Sequence, residues 1–410
     1  MLFLGTEKYP EEDEYESFLS RYGGFCNAYT DMEDTNYFFS VTTENTDPSQ
    51  TTPALTGALD RLAQFFISPT FGSDAVEREL KAIDSEYRNG ITSDAWRGYQ
   101  LLKSLCDQRH PFHKFGCGNY ETLSSKGTET LLEELRLFWE RYYRTYNLRL
   151  SVVGHGSLDA LQKSVEETFG QIPISEGSPR RLMNTEGQLF QREHAVYGIP
   201  VFGPEQMGFM YHTKPLTETR SVKVMFAVPP FDDPTMRKSK PYRVLSHILG
   251  HESPHSLHAL LNEEGYLTDL TSGASVDCSD FALFSISVAL TEKGMNEYER
   301  VLDLVFQWIT LLKAHVELLP EYHDELHRIA MMNFRFRENG DPTDFCSSAA
   351  ELLFDENDSP GEFLTSGSSS EEYDPFVADE FLKRLTPENC IVQVTSSDFD
   401  DTSDAWESEV

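Results

Sequence analysis

Two stretches of this chain close in the same way. Residues 146–161 read YNLRLSVVGHGSLDAL, and residues 385–399 read LTPENCIVQVTSSDF. Each leads through an asparagine into a short apolar strand. What precedes each follows one plan too: strands, a helix beside a histidine-bearing segment, further helices, then the closing strand. A chain built this way folds as two related α/β domains, because each half carries apolar faces that only its own layers can bury. Between them, residues 173–192 turn polar and rich in Pro, Ser, Gly and Arg, the composition of a linker. The expected domains are therefore 1–195 and 196–410.

Within the first half, apolar residues at helical spacing predict helices over 55–66, 74–88, 93–105, 130–146 and 158–169. Acidic residues opening 10–22, with Gly23 and Gly24 just past its end, predict another. Asp74 and either Ser93 or Asp94 are the expected N-caps. Alternation predicts strands at 25–30, 36–43 and 148–153. The second half predicts strands at 221–228, 281–290 and 387–395, and helices at 241–249, 256–264, 297–315 and 320–337. Residues 45–53 and 355–374 read as loops, and 396–410 as a polar, acidic tail.

Of 410 residues, 68 are acidic and 34 basic, a formal charge of −34. That charge excludes nucleic acid and anionic membrane as main partners and leaves basic peptides as the complementary class. With 28 Phe and 18 Tyr the chain has aromatic bulk for a sizeable core, which disordered chains lack. No apolar run reaches the length of a bilayer span. The opening residues lack the basic flank and long apolar stretch of a signal peptide. Six scattered cysteines without a CxxC pair give neither a disulfide framework nor a thiolate zinc site, and a reducing, cytoplasmic setting is the compatible one.

The residues that could carry chemistry are few. Glu79 and Glu86 lie seven apart, two helical turns, on one face of the 74–88 helix. A carboxylate on a rigid helix can ligate a metal, and a second can steady a ligand from outside; the same spacing also describes an ordinary solvated face. Histidine pairs occur at HPFH (110, 113), HILGH (247, 251) and HDELH (323, 327). None has the glutamate of H-x-x-E-H or H-E-x-x-H in place. His110 and His113 read as loop residues and His323 and His327 as surface histidines. Gly250 stands where the inverted motif needs its glutamate. No nucleophile elbow, phosphate loop or dinucleotide fingerprint is present. Motifs alone leave a two-domain α/β protein of open function.

The blocks MLFLGTEKYPEEDEYESFLSRYGGFCNAYTDMEDTNYFFSV, GALDRLAQFFISPTF, ERELKAIDSEYRNGITSDAWRGYQL and HPFHKFGCGN resemble the inverzincin metallopeptidases, the family of insulin-degrading enzyme, nardilysin and pitrilysin. The resemblance extends through HILGHESPHSLHALLNEEGY and covers nearly the whole chain. It implies an α+β fold of two related α/β-sandwich domains, antiparallel-rich sheets packed with helices, the first domain incomplete. In that family Met-Leu-Phe-Leu-Gly follows H-x-x-E-H directly. The expectation is then that both histidine ligands and the glutamate base lie ahead of Met1, and that a C-terminal half closing a chamber lies beyond residue 410.

Carried over residue by residue, the resemblance makes Glu86 the third zinc ligand and Glu79 the carboxylate supporting it. It makes Gly24, Phe25, Cys26, Asn27, Ala28 and Tyr29 the edge that receives a peptide as an added strand, and Trp96 an aromatic near the site. The second half resembles the catalytically silent repeat, with Gly250, His251 and Glu252 near an exosite that holds a peptide's N-terminal end. Here the chain reads ESPHS where glycine is more usual beside the proline, so His255 narrows that anchor. The 45–53 loop is longer than usual.

Two functions are compatible with this. One is a zinc metalloendopeptidase acting on peptides, of which this chain is a piece inactive by itself, its partner being the missing half or a separate subunit. The other is a non-catalytic homologue that binds peptides or a partner.

Overall fold

The computed structural model describes residues 1–42, 51–174, 199–231, 233–353, 363–366 and 372–400. Most of the expected linker, the boundary at 195/196, much of the 45–53 and 355–374 loops, and the tail past residue 400 lie outside the described residues.

In order, the elements are α1 (Glu14–Arg21), β1 (Phe25–Thr30), β2 (Thr35–Ser40), α2 (Pro53–Ile67), α3 (Ser73–Gly90), α4 (Asp94–Ser104), α5 (Tyr120–Ser124), α6 (Thr128–Tyr142) and α7 (Leu158–Thr168). Then come β3 (Phe209–Thr213), β4 (Arg220–Val228), α8 (Pro234–Ser239), α9 (Pro241–Leu249), α10 (Leu257–Glu263), β5 (Leu267–Asp277), β6 (Ala282–Leu290), α11 (Glu292–Asn296), α12 (Tyr298–Ala314), α13 (Leu319–Arg335), α14 (Pro342–Leu352), α15 (Phe363–Ser366), α16 (Pro375–Arg384) and β7 (Cys390–Ser396). The fold is α+β. Among the described residues no helix is long and apolar enough to cross a membrane.

The chain gathers into two compact units, and neither is contiguous. The first comprises residues 1–87, 117–190 and 337–367, the second 88–116, 191–336 and 368–410. Segment 88–116 thus packs with the second unit, and 337–367 with the first.

The first unit is built on α2. Its Thr52 side chain accepts from the Leu55 amide, and Pro53 opens its first turn. One stripe of α2 (Ala58, Leu62, Phe65, Phe66) meets Tyr15, Phe18 and Leu19 of α1; another (Leu55, Leu59) meets Leu161 of α7. Phe71, Val76 and Leu80 of the α3 region pack on Leu132 of α6. β1 and β2 form an antiparallel hairpin, Phe25 opposite Ser40 and Thr30 opposite Thr35. Helix α14 leans on β2, with Asn36 Nδ2 donating to the Ser347 carbonyl at 3.4 Å.

The second unit holds a five-stranded sheet in the order β3-β7-β4-β6-β5. β3 and β7 are parallel and the other pairs antiparallel. Alternation sorts its side chains into two cores. Val222, Val224, Phe226, Phe284 and Ile286 face α9, α10, α12 and α16. Met225, Leu283 and Ile391 face the other way, onto Leu102 and Cys106 of the α4 segment and onto Phe112, Phe202 and Phe281.

Two expectations change. Residues 148–153 do not form a strand. Their alternation is real, since Val152 packs against the Leu55–Leu59–Leu161 cluster, but a strand also needs a partner to pair with. His323 is not on the surface: it is 3% exposed, because it shares the buried stripe of α13 with Leu319, Tyr322 and Leu326 at helical spacing. His110 lies in a bend, a loop residue as expected, and is buried there; its Nδ1 accepts from the Phe112 amide at 3.1 Å and its Nε2 meets Asp280 Oδ2 at 2.7 Å.

Candidate metal-ligand helix and peptide-anchoring cleft

Helix α3 turns Ala75, Val76 and Leu80 inward and leaves its carboxylates on the outer face. Glu79 Oε1 accepts from the Met1 amino group at 2.7 Å. Glu86, two turns on, is exposed. The neighbouring Cys117 thiol is pushed up by burial, and the charge of Glu86 adds to that. Glu86 and Cys117 are two donor groups, and zinc sites take three or four protein ligands. Among the described residues no group of three or more His, Cys, Asp or Glu side chains is placed to hold a metal ion. The residues present do not by themselves fit a zinc ion.

β1 pairs only with β2 among the described residues; along this run the Gly24 amide donates to the Leu19 carbonyl at 2.9 Å and the Ala28 amide to Asn27 Oδ1 at 2.8 Å. Gly24 stands at its entry because the backbone of β2 passes very close: a Cβ there would lie 2.0 Å from the Ser40 carbonyl oxygen. Phe25 and Tyr29 are 53% and 43% exposed. Tyr29 donates to Glu351 Oε1 on α14. Cys26 is half-buried, its thiol pushed up to about 11 by burial and by Glu16.

Trp96 belongs to the second unit. Ser93 caps α4 by accepting from the Trp96 amide, which settles the choice of N-cap between Ser93 and Asp94. The indole is 53% exposed and lies on Gly90, where a Cβ would stand 3.2 Å from the ring. Asp94 works elsewhere. Its carboxylate accepts from the amides of Leu216 and Thr217 at 2.7 and 3.0 Å and from Thr217 Oγ1 at 2.7 Å. Desolvation pulls its pKa up, but these hydrogen bonds and Arg97 outweigh that and hold it below the ordinary carboxylate value.

Gly250, His251 and Glu252 meet in an open cleft of about 500 Å³ in the second unit, lined also by Ser246, His247 and by Leu270, Thr271 and Ser272 of β5. β5 is the edge of its sheet. A reciprocal pair ties it to α9: Ser246 Oγ donates to the Ser272 carbonyl at 2.5 Å and Ser272 Oγ to the Ser246 carbonyl at 2.8 Å. The His247 and His251 rings are edge to face, centroids 5.0 Å apart, and Tyr322 of α13 lies 6.1 Å from His247. Burial and His251 lower the pKa of His247, against the opposing pull of Glu325. His251 Nδ1 accepts from the Ser253 amide at 3.0 Å. His255 follows with φ +67°, a left-handed conformation that glycine adopts freely and histidine at a cost.

The structure thus brings the second-half trio together with a sheet edge, and places β1 and α3 as far as residue 87, Glu79 and Glu86 included, in the first unit. Sequence reading missed β5 and the Ser246–Ser272 pair. The run LTDLTSGASVD has too little alternation to announce a strand, and its bulged register blurs what there is.

Three family models match this chain: "Insulinase (Peptidase family M16)" over residues 1–109, "Peptidase M16 inactive domain" over 130–325, and "Middle or third domain of peptidase_M16" over 334–409. The A-factor-processing enzyme of Saccharomyces cerevisiae is 33% identical over 412 residues, and the insulin-degrading enzyme of Homo sapiens 34% over 413. Each alignment covers 99% of this chain and 37% of the relative, so the chain spans less than two fifths of their length. The crystal structure of pitrilysin superposes with a TM-score of 0.85 at 24% identity, covering 99% of this chain and 40% of that one. A protease from Helicobacter pylori superposes at 0.65 with 16% identity, covering 96% and 87%. With matches running from its first residues to residue 409, the chain belongs to the insulinase family of peptidases, family M16.

Proposed function

We propose that this chain is the peptide-holding part of a zinc metalloendopeptidase and does not hydrolyse peptides by itself. The observation that carries this reading is Glu86, an exposed carboxylate on a rigid helix in a family of zinc-dependent peptidases, without enough companions among the described residues to fix a metal. In the longer enzyme Glu86 is the third zinc ligand and Glu79 its support. Bound zinc supplies a Lewis acid and an acidified water. This chain's own contribution is to hold the substrate. The run from Gly24 to Tyr29 offers the outer edge of β1 for main-chain hydrogen bonds, which tolerate many peptide sequences, once the local Asn27 side-chain bond to the Ala28 amide is displaced. Trp96 offers an exposed aromatic face. Gly250, His251 and Glu252 anchor the peptide's N-terminal end in the second unit.

Two measurements test this. The purified 410-residue chain is expected to bind peptides yet show no chelator-sensitive cleavage of a fluorogenic peptide; robust zinc-dependent turnover overturns the reading. Translation of the genomic DNA ahead of Met1 is expected to give an in-frame H-x-x-E-H. In that longer protein Glu86→Gln is expected to lose most activity through weakened metal binding, and wild-type turnover by the mutant rejects Glu86 as a ligand. The alternative is a non-catalytic peptide- or partner-binding homologue, favoured by the absence of a metal-holding cluster among the described residues. A stop codon directly upstream, with the short protein detected in cells, selects it.

A further inference from the structure

The peptide-anchoring cleft carries a feature that the function above does not use. His251 ends the α9 segment with Nδ1 as an acceptor, tied to the Ser253 amide at 3.0 Å. A neutral imidazole that accepts at Nδ1 carries its proton on Nε2. The next proton must therefore arrive at Nδ1 itself. It would turn the acceptor into a donor facing another donor, and the His251–Ser253 hydrogen bond could not survive. The segment this bond holds, residues 252–255, includes Glu252 at the lip of the cleft and the left-handed His255. The turn itself is closed by the Ser256 amide donating to the Ser253 carbonyl at 3.1 Å, so losing the His251 bond frees this strained turn from the end of α9 without unfolding it.

The surrounding charges act in the same sense. His247 stands beside His251 with ring centroids 5.0 Å apart, so protonation of both puts two cations at one end of the cleft. Facing them are Glu252 on the lip and, from α13, Tyr322 and Glu325. The β5 wall brings only Leu270, Thr271 and Ser272, none of them titratable. With neutral imidazoles the carboxylates dominate and the cleft suits an ammonium group. A proton on His251 sets a cation beside those carboxylates and weakens that preference, while His247, whose pKa burial and His251 lower, resists taking a second one.

We propose that the His251–Ser253 contact is a proton-sensitive latch on this cleft: it holds the 252–255 segment in place for a cationic peptide amine at neutral pH and releases segment and peptide together on acidification. This rests on the reading of the cleft as the anchor for a peptide's N-terminal end.

The test uses the whole 410-residue chain and a decapeptide labelled at its C-terminus, once with a free N-terminal amine and once acetylated, with binding followed by fluorescence anisotropy. The free-amine peptide is expected to bind about tenfold or more weaker at pH 5.5 than at pH 7.5, a step of one or more units in log Kd. The acetylated peptide is expected to bind more weakly at pH 7.5. His251→Asn keeps an acceptor oxygen near the Nδ1 position but cannot be protonated; as His251 lines the cleft, its affinity at pH 7.5 is expected to fall, and the decisive readout is the ratio of its affinities at pH 7.5 and 5.5, which should lose most of the wild-type response. Equal binding of the free-amine peptide at the two pH values, or an undiminished response in His251→Asn, overturns the latch while leaving the anchor standing. No binding of either peptide at pH 7.5 overturns the anchor and the latch with it. If His251→Asn does not fold, nitrogen-15 spectra of the wild-type imidazoles decide: the Nε2–H tautomer at pH 7.5 supports the latch, and Nδ1–H overturns it.

Discussion

His323 has both ring nitrogens buried without a hydrogen-bond partner among the described residues. The nearest acidic oxygen, Asp324 Oδ1, is 3.8 Å from Nδ1, too far to accept a hydrogen bond. Desolvation lowers its pKa from 6.5, and His327 adds to that; Asp324 opposes it. The folded state therefore holds this residue neutral where the unfolded chain would protonate it. As pH falls below about 6.5 the unfolded state gains a proton first and stability drops; the loss is complete below the folded pKa. His323→Phe keeps a ring against Tyr373, whose centroid lies 5.6 Å away, and removes the unsatisfied nitrogens. Urea denaturation of the variant should show stability at pH 7.5 equal to wild type or up to about 1 kcal/mol higher, and a flatter profile between pH 7.5 and 5.5. An equally steep profile would assign the acid sensitivity to other groups. This residue also marks a limit of sequence reading. A histidine on a stripe with Leu319 and Leu326 was readable as buried, but the polar residues between them made the helix look solvated.

At the scale of elements, the helices were the legible part. α2, α7, α9 and α12 carry apolar residues at helical spacing, α2 and α7 with side-chain caps at Thr52 and Ser157 and α9 with Pro241 in its first turn, and β6 is a mostly apolar, mostly buried run. What was not legible depended on a partner. Residues 148–153 alternate as a strand does but join no strand ladder among the described residues, whereas β5 pairs with β6 along its length despite a run of Ser, Thr and Gly. In the candidate site, Glu79, Glu86 and the 250–252 trio stood in the sequence through family resemblance. Asp94 did not, because its role lies 122 residues away, at Leu216. It joins the start of α4 to the turn before β4 through three hydrogen bonds. Asp94→Ala is expected to destabilise the second unit by about 0.5–1.5 kcal/mol, the net worth of hydrogen bonds whose exposed donors water can satisfy in their place. Its pKa is lowered in the fold, so its contribution is present above the unfolded value of 3.8 and is lost as pH falls through the folded one. Thermal melts at pH 7 and pH 3 check both statements. A difference between wild type and Asp94→Ala that is the same at the two pH values would show that the carboxylate charge contributes nothing.

Across the whole molecule, chain order and packing order part company. A cut at 195/196 would leave α4 and the HPFH segment with the first half, yet Leu102, Cys106 and Phe112 fill one face of the second unit's sheet against Met225, Leu283 and Ile391. Phe112 is 3% exposed, its ring 4.9 Å from that of Phe281, and the Lys103 ammonium lies 4.7 Å from its centroid. The segment therefore belongs energetically to the sheet that it covers. Phe112→Ala removes a ring from a packed interior and is expected to cost about 3–5 kcal/mol. The location of the loss is the sharper prediction, because it separates packing from chain order. Amide hydrogen exchange should accelerate in β4, β6 and β7 and stay unchanged in α1 and α2, whose side chains bury against one another. Iodoacetamide labelling gives a second reading of the same event. The Cys106 and Cys390 thiols, pushed up by burial to about 11 and about 12, should resist alkylation at pH 7.5 in the wild type, and Cys106 should become reactive in the variant as its cover opens. Faster exchange confined to α1 and α2, with Cys106 still protected, would return the 88–116 segment to the first half of the chain.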